Sequence, residues 1–391
     1  MKILILTQFS CDYPHGPLFE YLKERVERLY LIKHPTTDTA ASENSSMLVT
    51  HVQGLSESHS IRSRFSSFHM KLAWSTGISI YWLLKIRKVD VVIGCGNWYA
   101  LIGILSRMMG FSKHVVYYAI DFVPKDRFSN PLLDFFYRSL DRFVLKNVDI
   151  IWNISARMTK ARKDFDYAYT SPEYYVPNVC EFFSFDEKPA NEDKFKQTRL
   201  LFVGSLYRHQ GLDHVLNALK SLSDSGTEVQ LDIVGVGPEH HALMTLASSL
   251  EIENSVTFHG YLPLGRVLKL ATRCFGTVAI YDPERCHFSQ YGDPAKIRLY
   301  LSLGLPVITT GVTALAAEIE DRALGEICSA SAAGVARAIE SLSNGTQDKS
   351  AIRLRIQDWV QSFSPERVYR EPLEALLHAA CRCNSRLHSH D

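Results

Sequence analysis

The chain has 391 residues, of which 46% are hydrophobic and 22% charged, with 43 Lys and Arg against 42 Asp and Glu. This length predicts two or three domains, and the composition excludes global disorder and a multi-span membrane protein. The near-zero charge balance argues against a protein built to coat nucleic acid, because such surfaces are strongly basic.

The eight cysteines are scattered along the chain, without a Cys-x-x-Cys pair or a histidine spacing typical of zinc sites. They are interpreted as reduced thiols. The N-terminal run MKILIL is too short for a signal-peptide core, and the stretch Leu72–Leu84 is shorter than the roughly 20 apolar residues of a membrane span. We expect a cytoplasmic protein without a transmembrane helix.

Short apolar runs rich in Val and Ile alternate with amphipathic segments along the chain. Runs that are apolar throughout suit parallel strands covered on both faces by helices. The predicted strands are 3–6, 89–93, 114–118, 149–152, 200–203, 230–234, 255–258, 277–280 and 306–309, and the predicted helices are 17–28, 130–146, 212–223, 238–250 and 294–303. This βα alternation predicts an α/β protein with doubly wound parallel sheets.

The alternation stops in the polar segment 182–198, which marks a domain boundary. We expect residues 1–188 and 189–362 to form two Rossmann-like domains that face a cleft. Residues 363–391 are expected to form a last helix and a tail. Its start is predicted at Ser364-Pro365, because serine caps helices and proline suits a first turn.

Basic residues crowd between Ser58 and Ile120, where Asp90 is the only acid. Aromatic residues such as Trp74 and Tyr81 are interleaved with them, a composition typical of surfaces that rest on anionic lipid headgroups. An ordinary amphipathic helix packed on the sheet explains the same composition. An anionic membrane surface is therefore a candidate partner of the Ser58–Lys88 region, which would bring the protein to the inner face of the cell membrane. The basic residues are Arg62, Arg64, Lys71, Lys85, Arg87, Lys88, Arg107 and Lys113.

Two glycine-rich turns follow predicted strands in the second half. Ligands of open parallel sheets bind beyond the carboxyl ends of strands, where glycines let backbone amides approach a phosphate. The first turn is Gly204–Gly211 and the second is Gly235-Val236-Gly237. Neither has the dinucleotide fingerprint or the P-loop spacing, which argues against a dehydrogenase and a P-loop enzyme.

The most specific segment is YGDPAKIRLYLSLGLPVITT, from Tyr291 to Thr310. Pro294 is placed to set the first turn of a helix whose third residue is Lys296. The lysine ammonium then lies near the positive end of the helix dipole, and both charges would stabilise a bound anion. A solvated lysine at a helix start is the alternative.

Five stretches, in order and spacing, resemble the nucleotide-sugar-dependent glycosyltransferases of the two-domain GT-B fold, particularly the retaining, glycosyltransferase family 4-like enzymes of bacterial surface polysaccharide synthesis. Val176-Pro177-Asn178-Val179 looks like the family's hinge, and the last helix resembles one that returns to the first domain. The resemblance is strong over 200–345 and looser before 180. The five stretches are Leu200–Gly211, LDIVGVGPE at 231–239, VTFHGYLPLGRVLKL at 256–270, VAIYDPE at 278–284 and DPAKIRLYLSLGLPVITT at 293–310.

The resemblance implies that residues 189–362 bind a nucleoside-diphosphate sugar and that residues 1–188 form the acceptor side. Lys296 would stabilise the leaving diphosphate, so neither a metal nor another cofactor is expected. The chain departs from the family pattern at Ser205 and Gln210, where the family commonly has cations, and at Leu299, where a ribose-binding glutamate is common. The implied donor-binding residues are Gly16, Gly204, Ser205, Arg208, Gly235, Gly237, Glu284, Tyr291, Asp293 and Pro294.

Asp121 follows a predicted strand at the edge where family members often present His or Asp to the acceptor. As a catalytic general base it would remove the acceptor proton, an effect of about 10²–10⁴-fold. A loop or N-cap role is the alternative.

The resemblance implies a glycosyltransferase, expected to be a hexosyltransferase, that acts on a glycan or lipid-linked glycan acceptor and binds no nucleic acid. Retention and inversion of the anomeric configuration are both open. Two alternatives stay open beside it. One is a catalytically silent GT-B homologue that acts as a binding subunit, and the other is a nucleotide-sugar epimerase.

Overall fold

The computed structural model describes residues 1–8, 15–35, 44–51, 56–63, 65, 67–124, 128, 130–181, 183, 198–285, 287–343 and 349–387. The chain divides into unit 1, Met1–Val179 with Pro365–Asp391, and unit 2, Cys180–Ser364. The predicted boundary between residues 188 and 189 lies outside the described residues. The observed division follows Val179, the last residue of the Val-Pro-Asn-Val stretch.

Both units are built from strands that alternate with helices. The strands are β1 (Lys2–Gln8), β2 (Arg28–His34), β3 (Asn44–His51), β4 (Ser56–Arg62), β5 (Val89–Cys95), β6 (Ser112–Ala119), β7 (Ile150–Asn153), β8 (Glu173–Tyr175), β9 (Arg199–Val203), β10 (Gln230–Val234), β11 (Val256–Gly260), β12 (Gly276–Ala279), β13 (Val307–Thr310) and β14 (Gly325–Cys328). The helices are α1 (His15–Leu22), α2 (Phe68–Ile86), α3 (Asn97–Met108), α4 (Pro131–Asn147), α5 (Arg157–Asp164), α6 (Leu212–Asp224), α7 (His240–Ser249), α8 (Leu264–Ala271), α9 (Ala295–Ser302), α10 (Ala316–Asp321), α11 (Ala332–Ser343), α12 (Lys349–Ser362) and α13 (Pro365–Leu387).

Each unit has one sheet among its described residues. The order in unit 1 is β4-β3-β2-β1-β5-β6-β7-β8, and the order in unit 2 is β11-β10-β9-β12-β13-β14. All the pairings in unit 2 are parallel, whereas β3 in unit 1 runs antiparallel to both β2 and β4. The predicted fold class, an α/β protein with two parallel-sheet domains, is confirmed, with an antiparallel extension at one edge of the first sheet.

The sequence predicts nine of the fourteen described strands. Every predicted strand overlaps an observed one, because β1, β5, β6 and their counterparts in unit 2 are buried almost throughout. The prediction misses β2, β3, β4, β8 and β14. Of these, the edge strand β4 has the sequence SESHSIR and is largely exposed, so no apolar run marks it. The predicted helix 17–28 is wrong at its end. Helix α1 stops at Leu22, and Arg28 already pairs with Lys2 of the neighbouring strand.

The strand order of unit 2 places two loops beside a topological switch point. The chain proceeds from β9 to one side of the sheet through β10 and β11, and from β12 to the other side through β13 and β14. The loops after β9 and β12 therefore flank the crevice at which ligands bind in open α/β sheets. Among the helices in the described part of the chain, none combines the length and apolar character needed to cross a bilayer.

The last helix belongs to unit 1. It begins at Pro365, the residue at which the sequence predicts its first turn. Glu366 accepts hydrogen bonds from the hydroxyl of Tyr21 at 2.9 Å and from the guanidinium of Arg25 at 3.2 Å. The ring of Tyr369 lies 5.3 Å from that of Tyr21. These contacts tie the start of α13 to α1 and to the turn after it.

Candidate functional site

Lys296 lies in the first turn of α9, over the loop that follows β9. Its Nζ donates a hydrogen bond to Oε1 of Gln210 and lies 4.4 Å from the centroid of the Phe202 ring. A Cβ atom on Gly204 would lie 3.2 Å from both Cε and Nζ of the lysine, so the loop backbone passes directly beneath the ammonium. The helix starts at Ala295 with Pro294 as its N-cap, one residue later than predicted.

Tyr300 fixes α9 to the end of β9. Its side chain is fully buried, and its hydroxyl accepts from the amide of Val203 at 2.8 Å and donates to the carbonyl of the same residue at 3.2 Å. Residues four apart lie on one face of a helix, so Lys296 and Tyr300 point toward the same strand end. This anchor holds the lysine at the carboxyl end of β9.

Asp293 and Arg298 form a buried ion pair at the start of the same helix. The guanidinium Nε lies 2.8 and 2.7 Å from the two carboxylate oxygens, and both side chains are 2% exposed. The guanidinium also lies 4.2 Å from the centroid of the Phe363 ring. The Asp293 carboxylate is thus paired and largely closed to solvent, and the donor contact of Asp293 stays a prediction. Asp293 positions α9.

The second glycine turn packs against the first. A Cβ atom on Gly235 would lie 1.9 Å from the carbonyl oxygen of Gly204, and one on Gly237 would lie 2.4 Å from that of Leu206. The Gly204 amide donates to the Val234 carbonyl at 3.0 Å. The approach of one backbone to another thus accounts for Gly235 and Gly237 without a ligand, and the predicted phosphate contacts are not needed to explain them.

The rim of the first turn carries the polar groups that the sequence assigns to the donor. Ser205 and Arg208 are exposed, and Arg208 begins a short 3-10 turn that ends at Gln210. Burial lowers the pKa of His209, and the positive charge of Lys296 lowers it further. Ser205 and Arg208 thus face solvent, whereas His209 is half-buried near the lysine.

A charged cluster that the sequence did not reveal lies at the end of β12. Arg285 donates to both carboxylate oxygens of Asp213 at 2.9 Å, and its Nε lies 2.9 Å from Asp282. Burial by itself raises the pKa of Asp282, but hydrogen bonds from His214 and the Glu284 amide, together with the charge of Arg285, lower it overall. The cluster shapes the turn that presents exposed Glu284. The acids and the arginine were visible in LDHVL and YDPER, but no spacing linked these two segments.

The remaining predicted donor residues occupy different places. Tyr291 ends the 3-10 turn His287–Tyr291 and is half-buried, and Pro294 caps α9. Gly16 belongs to unit 1, in the first turn of α1. There it lines a cavity of about 390 Å³ together with Glu20 and Lys33.

Asp121 also belongs to unit 1, two residues after the end of β6. It is half-buried, and the hydroxyl of Tyr137 on α4 lies 3.5 Å from its Oδ1. Within the described residues the next helix along the chain begins at Pro131, so Asp121 caps no helix there. In the same part of the chain no group of three or more His, Cys, Asp or Glu side chains is placed to hold a metal ion.

The chain is similar in sequence to known glycosyltransferases. Residues 184–357 match the family model described as glycosyl transferases group 1. An uncharacterized glycosyltransferase of Haemophilus influenzae is 37% identical over 65 residues, covering 17% of this chain and 18% of that protein. The uncharacterized glycosyltransferase MJ1069 of Methanocaldococcus jannaschii is 24% identical over 182 residues, covering 44% and 45%. The matches thus span less than half the length of these curated relatives.

The fold is that of solved glycosyltransferases. Anabaena Alr3699/HepE in complex with UDP has a TM-score of 0.69 at 13% identity, covering 97% of this chain and all of that one. WaaG, a glycosyltransferase involved in lipopolysaccharide biosynthesis, has a TM-score of 0.64 at 15% identity, covering 94% and 98%. The chain has the GT-B fold, and residues 184–357 are similar to the glycosyl transferases group 1 family.

The buried ion pair yields a prediction for stability. Arg298→Ala leaves the Asp293 carboxylate buried without its partner, which costs about 3–5 kcal/mol of unfolding free energy. Urea unfolding followed by circular dichroism measures this loss. The control is Arg266→Ala at an exposed position of α8, which should leave the unfolding midpoint unchanged. A stable Arg298→Ala variant that loses only donor binding would show instead that the pair acts on the ligand.

Proposed function

We propose that this GT-B protein, which is similar to the glycosyl transferases group 1 family over residues 184–357, is a glycosyltransferase that moves a sugar from a nucleoside diphosphate to a hydroxyl of a glycan or lipid-linked glycan. The observation that carries the proposal is the ammonium of Lys296, held over the Gly204 backbone at the switch point of unit 2. The Anabaena protein of the same fold was solved with UDP and glucose, which supports a nucleotide sugar as donor.

The leaving group of such a reaction is a diphosphate, whose negative charge grows as the bond to the sugar breaks. Lys296 and the amino end of α9 offer positive charge at one point, and fixed charges of this kind stabilise a transition state without reorganising. Exposed Arg208 supplies a further cation at the rim. Charge stabilisation by protein groups of this kind is the basis for proposing a reaction without a metal.

In the transfer step the acceptor oxygen forms a bond to the anomeric carbon, and the bond from that carbon to the diphosphate oxygen breaks. The acceptor proton goes either to the carboxylate of Asp121 or to the departing phosphate. The first route suits inversion and the second suits retention. We propose Asp121 as the base because its carboxylate follows a strand end and is only half-buried.

A catalytically silent binding subunit is the second candidate, and the loop after β9 favours it. Ser205 and Gln210 stand where the resembling enzymes commonly carry cations, and Gln210 is engaged by Lys296. Incubation with a panel of nucleotide sugars and a membrane acceptor extract separates the two candidates. Turnover excludes silence, whereas binding of a nucleotide sugar without turnover supports it.

Lys296→Met keeps the packing against Phe202 and removes the charge. We expect donor affinity or kcat/KM to fall about 10- to 100-fold, since a charge-assisted contact is worth about 1.5–3 kcal/mol. Calorimetric titration with UDP and turnover with UDP-sugars measure the effect. The control is Lys269→Met at an exposed position of α8, which should change neither UDP binding nor turnover. Unaltered UDP binding and turnover in Lys296→Met would remove the donor site from α9.

Asp121→Asn keeps the shape of the side chain and removes the base. Turnover should fall by about 10²-fold or more, while donor affinity stays within a few-fold, because the phosphate-binding candidates belong to unit 2. Tyr137→Phe is the matched control, since it removes the neighbouring hydroxyl and leaves the carboxylate. Near-normal turnover in Asp121→Asn would favour the retaining route, in which the leaving phosphate takes the proton.

A further inference from the structure

Unit 1 contains a cavity of about 390 Å³ between α1 and the outer strands of its sheet, which we call the α1–β4 cavity. Helix α1 contributes Gly16, Phe19 and Glu20, whose helical spacing places them on one face. The volume lies within the range of ligand pockets, which measure about 300–1,000 Å³. The strands β2, β3 and β4 contribute Leu31, Lys33, Ser46, Leu48 and Ser58.

The pairing of the three strands arranges these residues in two rows. Leu31 lies opposite Leu48, and Leu48 lies opposite Ser58. In the next row, Lys33 lies opposite Ser46. Side chains two apart on a strand point to the same face of a sheet, so both rows belong to the face beside α1.

The opposite face of β2 and β3 packs in the core of unit 1. Tyr30, Ile32, Met47 and Val49 pack there with Trp82 of α2, and each is at most 6% exposed. On the cavity side the two residues of β3 are half-buried, and the residue of β4 is exposed. The contact with α2 thus secures these strands, and the cavity is accessible through its exposed residues.

The lining of the cavity combines an apolar floor with a polar rim. Phe19 and Leu31 form the floor and are 5% and 3% exposed. The rim carries the ammonium of Lys33, the carboxylate of Glu20 and two serine hydroxyls. Cavities that stay empty are apolar, whereas polar cavities hold water or a ligand. The α1–β4 cavity belongs to the second kind.

The polar groups of the rim select the class of ligand. Glu20 shares the lining with Lys33, and a carboxylate repels the phosphates of a nucleotide. An acyl chain would leave two charged groups and two hydroxyls without partners, which is costly. A neutral sugar ring has a C–H face that suits Phe19 and Leu31 and hydroxyls that suit the rim. The Glu20 carboxylate already accepts from Lys23, and a carboxylate has further acceptor sites for sugar hydroxyls.

The cavity and Asp121 lie at the same edge of the sheet. Strands β1, β2, β5 and β6 are parallel, and Lys33 pairs with Thr7 one residue before the end of β1. Asp121 follows the corresponding end of β6. Strand β2 lies three strands from β6 and β3 lies four, which is about 14–19 Å at about 4.8 Å a strand. A single sugar does not cover that distance, whereas an oligosaccharide does.

We propose that the α1–β4 cavity binds a neutral sugar residue of an oligosaccharide, and that this oligosaccharide is the acceptor. The bound residue would lie several sugars away from the hydroxyl presented to Asp121. An acceptor long enough to reach the cavity gains contacts that a shorter one lacks, so the protein selects acceptors by length. The sugar site stands on the cavity alone, whereas its role as an acceptor subsite rests on the proposed function.

An array of neutral and acidic bacterial glycans, probed with the labelled full chain, tests the sugar site. We expect binding to neutral oligosaccharides that share one sugar. Ser58→Trp fills the cavity from its exposed edge, and Glu20→Gln removes the charged acceptor, so each should weaken binding about tenfold or more. The controls are Glu57→Trp and Glu57→Gln at the preceding residue of β4, which is exposed on the other face and should not affect binding.

Three outcomes overturn the sugar site. They are no glycan binding by the wild-type chain, unchanged binding by both cavity variants, and an equal loss of binding in Glu57→Trp. Circular dichroism checks that the variants fold. Glu20→Gln changes an exposed residue of α1 and keeps the test decisive if Ser58→Trp does not fold.

Turnover on acceptors of increasing length, built from the glycan that the array identifies, tests the acceptor role. The wild-type KM should fall once the acceptor reaches the cavity. Ser58→Trp should raise KM about tenfold for long acceptors and leave kcat, short acceptors and UDP affinity unchanged, because the contact is remote from the reacting atoms. Equal KM values for short and long acceptors would overturn the acceptor role and leave the sugar site standing. Glycan binding without turnover of any UDP-sugar would support the sugar site and contradict the proposed function.

Discussion

The two hydrogen bonds between the Tyr300 hydroxyl and the backbone of Val203 join a helix to the end of a strand, and the site of unit 2 depends on this joint. A strand end and a helix start are separate elements that could shift against one another. The buried hydroxyl bonds to both the amide and the carbonyl of Val203, which fixes the distance between the helix and the strand end. Lys296, one turn before Tyr300, consequently stays over the Gly204 loop.

The Asp293–Arg298 pair adds to this restraint at a cost. Removing two charges from water is unfavourable, and a buried pair recovers that cost only with good geometry and further contacts. Here the Arg298 guanidinium donates to the Asp293 carboxylate and lies near the rings of Trp359 and Phe363. The pair fixes the first turn of α9. This turn carries both the positive end of the helix dipole and the ammonium of Lys296.

Unit 1 shows the opposite arrangement, in which polar groups inside hold apolar groups outside. The acids of α4 are buried and bond to Arg138 and Tyr117, whereas Phe135 and Phe136 are exposed. The same helix contacts Asp121, the predicted acceptor residue, through the hydroxyl of Tyr137.

The sequence by itself determined the features that depend on local pattern. Fully apolar runs revealed the central strands, Ser364-Pro365 revealed the start of α13, and the order of five stretches indicated the GT-B fold, which the structure and the comparisons confirm. Lys296 was found because a proline, a lysine and a helix start stand within four residues. These signals are read from neighbours in the chain, and tertiary contacts did not override them.

The tertiary structure alone decided what each polar or glycine residue faces. The sequence shows Asp293 and Gly235 only as candidate donor residues, whereas the structure shows that Asp293 pairs with Arg298 and that Gly235 packs against the Gly204 backbone. The strand β4 and the burial of Asp141 on α4 were equally invisible, since a polar edge strand is specified by the strand beside it and a buried acid by its partner. Burial and pairing join residues that are distant in sequence, and no local pattern records them.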